Sequence, residues 1–384
     1  MANFVLIKNA NIVLENGILW DGAILIKDGI IADIGLEKEM AFPSDAEIVD
    51  AGGLYVGPGF VDIHVHGGGR SQTYEEPIKA SEYFLDHGET TILATPSYSM
   101  SLDEFLGATR NVKKAWGEAK TIRGIYMEGP YTNPEYGSRS WLNPWRNGVL
   151  EKDYKFLIDE AGKYVKVWSI APEREDIMPF LEYARVVNPE VVFAVGHSEA
   201  TPAEIRALGS KYRPTLMTHT FNATGRQAVA GGTRGFGPDE YCMKDPEMYA
   251  ELISDSCGIH VHSEMQQLLV HCKGVDKIVL ITDSTVSIGE NPDQYKHIKD
   301  LNFDESGGLS GSKMTMEQAC RNIMTHTSCG IAQAFKMASL NPAKVIGMDN
   351  ELGSIVCGKR ADVIFVDDKF NVKKVMLGGE MCRG

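Results

Sequence analysis

Pro58-Gly59-Phe60-Val61-Asp62-Ile63-His64-Val65-His66-Gly67 is the stretch on which the fold of this chain turns. It reads as a short buried strand, Phe60 to His66, entered from a Pro-Gly turn and left through Gly67, Gly68 and Gly69. Side chains alternate along a strand, so His64 and His66 point the same way. Two imidazoles side by side at a strand end make half of a metal site. Taken alone, the stretch also admits two hydrogen-bonded core histidines. The remaining ligands must therefore come from elsewhere in the chain.

Beyond it, strands and helices alternate. A helix is expected from about Pro77 to His87, ended by Gly88, and a second from Leu102 to about Lys120. Further strands are expected over 90–95, 122–128, 165–170, 191–196 and 215–218, near 251–260, and over 278–282. This alternation implies a parallel sheet. Eight such units in about 280 residues fit a (β/α)8 TIM-type barrel. An open doubly wound sheet fits less well, because its Gly-x-Gly-x-x-Gly signature is absent.

The flanks read differently. Before Gly57, the apolar runs Phe4–Ile7 and Asn11–Leu14 are followed by Asn16-Gly17, Asp21-Gly22 and Asp28-Gly29, turn dipeptides that suit a β-meander. After a helix near Asn341–Ile346, strands are expected at Leu352–Val356, Ala361–Val366 and Val372–Leu377. The expected organisation is one small β-domain, residues 1–57 and 349–384, interrupted by the barrel, residues 58–348.

With 384 residues, 43% of them hydrophobic and 23% charged, the chain can bury a large core. Its formal charge of -14 repels nucleic acid and anionic membranes alike. A small anionic substrate is still admitted where metal ions, helix ends or local Arg and His reverse the field. No signal-like or membrane-spanning segment is seen in the sequence. The seven cysteines are scattered and form no C-x-x-C pair, which suits reduced thiols in the cytoplasm better than disulfides or a cysteine zinc site.

The polar residues fall at one place in this grammar. The expected strands carry His64, His66, Glu128, His197, His219 and Asp283 at their carboxyl ends, the face where barrel enzymes gather catalytic groups. Singly, each has a plainer reading: Glu128 can cap a loop, Asp283 can cap a helix, and His197 can be solvated. Together they favour one or two divalent ions (Zn, Fe, Mn or similar) held by imidazole and carboxylate. His64 and His66 would hold one ion and His197 and His219 the other, with Glu128 placed between. A water activated there is the nucleophile, and Asp283 can take its proton and return it to the leaving group. Rival signatures fail. Gly196-His197-Ser198-Glu199-Ala200 lacks the second glycine of a nucleophile elbow, and Gly307–Ser312 lacks the Gly-Lys-Ser/Thr ending of a phosphate loop. That segment reads as a flap over the barrel mouth or a plain loop.

These residues resemble the amidohydrolase superfamily and, within it, the N-acetylglucosamine-6-phosphate deacetylases. The matching stretches are Pro58–Gly67, Met127–Pro130, Ser169–Glu173, Val195–Ser198, Thr218–Ala223, Leu280–Asp283, Gly308–Ser312, Asn341–Ala343 and Leu352–Asp362. The resemblance implies a barrel with a small β-sandwich built from both termini, a homodimer, and removal of acetate from an amino-sugar phosphate. It implies that Glu128, His197 and His219 are the principal metal ligands, that His64 and His66 add a second ion, and that Asp283 is the general base and acid. Substrate contacts are implied for Asn222, Ala223, His260 and Leu309. Three places depart from the family pattern. Cys257 stands where an aspartate precedes Gly258-Ile259-His260, and the loop after Pro130 reads Tyr136-Gly-Ser-Arg-Ser-Trp141. Arg226 and Arg234 compete for the phosphate. Another N-acetyl hexosamine, an N-acyl amino acid or a cyclic amide would call on the same chemistry.

Overall fold

The computed structural model describes residues 3–226, 231, 235–287 and 289–384. The chain opens with β1 (Phe4–Leu14), β2 (Gly17–Lys27), β3 (Ile30–Leu36), β4 (Glu47–Asp50) and β5 (Tyr55–Pro58). Asn16-Gly17 and Asp28-Gly29 turn the chain between the first three strands, as expected. Asp21-Gly22 does not. It lies inside β2, opposite Ala10, at a register shift, with Asp21 at a φ of 51°. Positive φ serves a bulge as well as a turn, so the two short runs expected before Asn16 form one bent strand.

The barrel begins with β6 (Phe60–Val65), followed by a small hairpin, β7 (Gly67–Gly68) and β8 (Ser71–Gln72). It continues through β9 (Glu89–Ala94), β10 (Ile122–Glu128), β11 (Val165–Ile170), β12 (Val192–Val195), β13 (Leu216–Met217), β14 (Tyr249–Ile253) and β15 (Ile278–Ile281). These form a parallel sheet in the order β15-β14-β13-β12-β11-β10-β9-β6. Its two ends meet: the Asp283 N–H donates to the His64 carbonyl at 3.0 Å and the His66 N–H to the Ser284 carbonyl at 2.9 Å. The result is a nearly closed (β/α)8 barrel. Strands such as β6 and β9 are buried throughout, because helices cover the outer face while side chains fill the inside.

Two boundaries fall short of expectation for local reasons. The helix Leu102–Lys114, started by a Ser101–Glu104 capping box, stops well before Lys120, and the chain turns at Gly117 with a φ of 90°. β14 stops at Ile253 because the Asp255 carboxylate collects the N–H groups of Cys257, Ile259 and His260 and folds the chain around itself.

After the barrel strands come the antiparallel pair β16 (Leu301–Phe303) and β17 (Leu309–Ser312). The strands β18 (Val363–Val366), β19 (Val372–Leu377) and β20 (Glu380–Arg383) then rejoin the first sheet. That sheet runs β20-β19-β18-β5-β1-β2-β3, with β4 on β1, and so draws on both ends of the chain. The strand expected at Leu352–Val356 is irregular chain instead. Gly353, at a φ of 85°, is pressed so closely on the helix before it that a Cβ there would meet the Ala343 Cβ at 2.8 Å.

Candidate metal centre

β6 delivers His64 from its interior and His66 just past its end, and β10 ends in Glu128. His197, His219 and Asp283 each lie two residues beyond a strand, and their φ values are 45°, 25° and 47°. Left-handed backbone is unusual for residues other than glycine, and its recurrence at three strand ends marks a functional site. All six side chains are buried or nearly so.

The hydrogen bonds of the histidines define their tautomers. Nδ1 of His64 faces Glu251 Oε2 at 3.0 Å, and Nδ1 of His66 faces the Thr95 carbonyl at 2.8 Å. Nδ1 of His197 faces the Tyr136 carbonyl at 3.2 Å, and Nδ1 of His219 faces the Asn222 carbonyl at 3.0 Å. These oxygens accept, so each Nδ1 carries a hydrogen and each neutral ring presents a lone pair at Nε2.

Those four Nε2 atoms converge on Glu128. Its Oε1 lies 2.7 Å from His197, 3.3 Å from His219 and 3.7 Å from His64, and its Oε2 lies 3.6 Å from His66. The Nε2 atoms of His197 and His219 are only 3.1 Å apart. His64 Nε2 is buried with no hydrogen-bond partner among the described residues. Two ligands of one tetrahedral ion, each at about 2.1 Å, stand about 3.4 Å apart, and the donor separations bracket that value. Two sets emerge, His64–His66–Glu128 and Glu128–His197–His219, with Glu128 common to both. The donor set fits a divalent cation.

The charges point the same way. Burial raises the Glu128 carboxyl, yet His197, His219 and His66 more than reverse this and hold it well below the ordinary value. Asp283 is likewise held low, the His66 hydrogen bond and nearby imidazoles outweighing burial. Burial lowers the His64 imidazole, but Glu251, Asp283 and Glu128 push it up to about 10. A cage that attracts a proton so strongly also attracts a metal cation, and the two compete for Nε2.

A cavity of about 270 Å³ opens in front of these donors. Asp283, Asn222, Ala223 and Leu309 line it. His260 does not: its Nδ1 meets Asp255 at 3.1 Å and its Nε2 meets the Gly311 carbonyl at 3.0 Å. Arg226 is exposed and pairs with Glu240 at 3.3 Å; Arg234 lies outside the described residues. The arginine that does reach the cavity wall is Arg139, from the divergent loop after Pro130. Of the two tryptophans flanking that loop, Trp145 is buried, with its Nε1 donating to the Met100 carbonyl, and Trp141 is exposed. Two residues before Cys257, Asp255 takes the N–H groups of Cys257, Ile259 and His260 on its carboxylate. The β16–β17 hairpin reaches the loop after Pro130 through a Ser138 hydroxyl that donates to Asp304, and it reaches the Asp283 carbonyl through the Ser312 N–H at 2.8 Å. The sequence reading missed Glu251, Asp255 and Arg139. Of these, only Arg139 lay in a stretch already singled out.

Residues 55–382 match the amidohydrolase family. The chain belongs to that family. Across it, similarity reaches the N-acetylgalactosamine-6-phosphate deacetylase of Escherichia coli O157:H7, 28% identical over 98% of each protein. The N-acetylglucosamine-6-phosphate deacetylase of Bacillus subtilis (strain 168) is 27% identical over 100% of this chain and 97% of that one. Among solved structures, the Thermotoga maritima N-acetylglucosamine-6-phosphate deacetylase superposes with a TM-score of 0.81 at 26% identity, over 98% of this chain and 99% of its own. A mutant of the Mycobacterium smegmatis enzyme in complex with N-acetyl-D-glucosamine-6-phosphate gives 0.82 at 25% identity, over 100% of both chains. The protein is thus a hydrolytic enzyme of this family.

Proposed function

We propose that this chain is a metal-dependent deacetylase that hydrolyses the acetamide of an N-acetylated hexosamine 6-phosphate to acetate and a free amine. The observation that carries the reading is the placing of Asp283. Its Oδ1 lies 3.2 Å from His66 Nε2, at the edge of the donor cluster and on the cavity wall. Bound among His64, His66, Glu128, His197 and His219, a divalent ion would polarise the amide carbonyl and make a water nucleophilic near neutral pH. Asp283, held ionised by its surroundings, takes the proton of the attacking water and hands it to the departing nitrogen, which must leave as an amine. Asn222, Ala223 and Leu309 bound the sugar. Arg139, the one arginine or lysine lining the cavity among the described residues, supplies charge for an anionic substituent.

Relatives at nearly equal distance act, by name, on the gluco and the galacto sugar, so the hexosamine is not named by similarity. A homodimer working in the cytoplasm belongs to the same proposal. Seven free cysteines, four of them exposed, suit a reducing compartment. The division into a barrel, 58–348, and a β-domain from both ends belongs to the proposal as well.

The test is acetate release by zinc-loaded protein from N-acetylglucosamine and N-acetylgalactosamine, each with and without 6-phosphate, and from N-acetyl amino acids. Turnover of the 6-phosphates at least tenfold above the rest is expected. Preference for an N-acetyl amino acid, whose carboxylate Arg139 could also take, would overturn the reading. So would silence across the panel.

A further inference from the structure

Glu251 sits within β14, fully buried, and no motif marks it. A single oxygen, Oε2, accepts two hydrogen bonds: from His64 Nδ1 at 3.0 Å and from the backbone N–H of His219 at 3.0 Å. Those histidines belong to different donor sets, so one atom spans both halves of the centre. The Tyr126 ring packs against His64. The ring centroids are 4.4 Å apart, and the Tyr126 hydroxyl is tied to Thr218 Oγ1 at 2.8 Å. The His64 ring is left one orientation, with Nε2 aimed between Glu128 Oε1 at 3.7 Å and Asp283 Oδ1 at 3.8 Å.

The four histidines are not held alike. His66, His197 and His219 are oriented by the backbone carbonyls of Thr95, Tyr136 and Asn222. Those acceptors come with the chain path whatever residue stands there. His64 alone depends on a side chain. A charged acceptor also strengthens the imidazole as a donor, as carboxylates behind metal-bound histidines do. Glu128, Asp283 and Glu251 together place three buried carboxylates at one spot.

We propose that Glu251 is the positioning residue of the His64–His66 half of this centre, and that the affinity of that half for its ion depends on it. The inference rests on reading the cluster as a metal centre, and the experiment separates the two. Full-length protein is loaded with zinc and dialysed, the metal is counted per chain, and affinities are measured by competition with a chromophoric chelator. Two ions per chain are expected for the wild type. Glu251→Ala should keep one and bind the other about 10- to 100-fold more weakly. Glu251→Gln, whose amide oxygen can still accept from His64, should recover part of the loss. His64→Ala should lose the same ion, and the double variant should lose nothing more. His197→Ala should lose the other ion.

Wild-type affinity for both ions in either Glu251 variant overturns the proposal while leaving the metal centre standing. A wild type holding a single ion also overturns it. No stoichiometric metal at all would strike down the centre itself. Circular dichroism checks folding; if Glu251→Ala does not fold, Glu251→Gln and His64→Ala decide.

Discussion

Gly137 fills a slot between Tyr98 and His197, and a methyl group there should disable the centre without unfolding the protein. Its φ is +108°, and an added Cβ would lie 2.6 Å from the Tyr98 hydroxyl oxygen and 2.8 Å from His197 Nδ1. Backbone of this kind costs an L-residue about 1–3 kcal/mol. Spread over 384 residues, each contributing about 2.1 cal/mol/K of unfolding entropy, that is a fall in Tm of about 1–4 °C. The contacts matter more. To relieve them the loop must withdraw, taking with it the Tyr136 carbonyl that fixes the His197 tautomer at 3.2 Å. Loss of such a support weakens a metal ligand about 10- to 100-fold. Gly137→Ala should therefore show that loss in metal affinity and in kcat/KM, with only the small change in Tm. Gly148→Ala is the matched control: its φ is +113° and nothing stands within 4 Å of the added carbon. It should show the same small Tm change with metal binding and kcat/KM intact. Equal behaviour of the two variants in chelator competition would refute the steric argument.

Asp283→Asn should keep its metal, because the donor sets do not include it, and lose about 10²- to 10⁴-fold in kcat; a near-wild-type rate removes Asp283 from the chemistry. Burial raises the Asp255 carboxyl, but its bonds from His260 and neighbouring N–H groups win and bring it from 3.8 down to about 2. A folded value below the unfolded one stabilises above the unfolded pKa and is lost as pH falls through the folded pKa. Urea unfolding should thus include about 2 kcal/mol from Asp255 that is present at pH 7 and disappears between about pH 4 and pH 2, a share of the acid slope that Asp255→Asn should remove. Ser138→Ala cuts the bond from the loop after Pro130 to Asp304 of the β16–β17 hairpin. It should raise KM several-fold with kcat little changed, and an unchanged KM would show that this contact does not hold the hairpin over the substrate.

The donor atoms were legible because each belongs to a local event: an apolar run closes and a polar residue follows. His64, His66, Glu128, His197, His219 and Asp283 all satisfy that grammar, and the parallel barrel then brings their five strand ends together. The surrounding groups are not local. A phosphate-facing arginine was sought downstream of Asn222, yet loops from different strands share one mouth, and Arg139 arrives there from the loop after Pro130. Asp255 was hidden by spacing alone, since Ser256 and Cys257 separate it from the Gly-Ile-His it serves.

Glu251 exposes the deeper limit. It is 187 residues from His64 and 32 from His219; parallel pairing that sets Met217 beside Ala250 brings it to His219, and closure of the barrel between β15 and β6 brings it to His64. Nothing in its own neighbourhood, Ala250 and Leu252, hints at a partner. The supports of the other three histidines leave even less trace, because a backbone carbonyl has no residue identity to read. Substitution can therefore test the His64 support directly, whereas the other three yield only to changes of chain path, such as a methyl group at Gly137. The centre combines ligands that a sequence reveals with supports it mostly conceals, and Glu251 is the support that a single codon can remove.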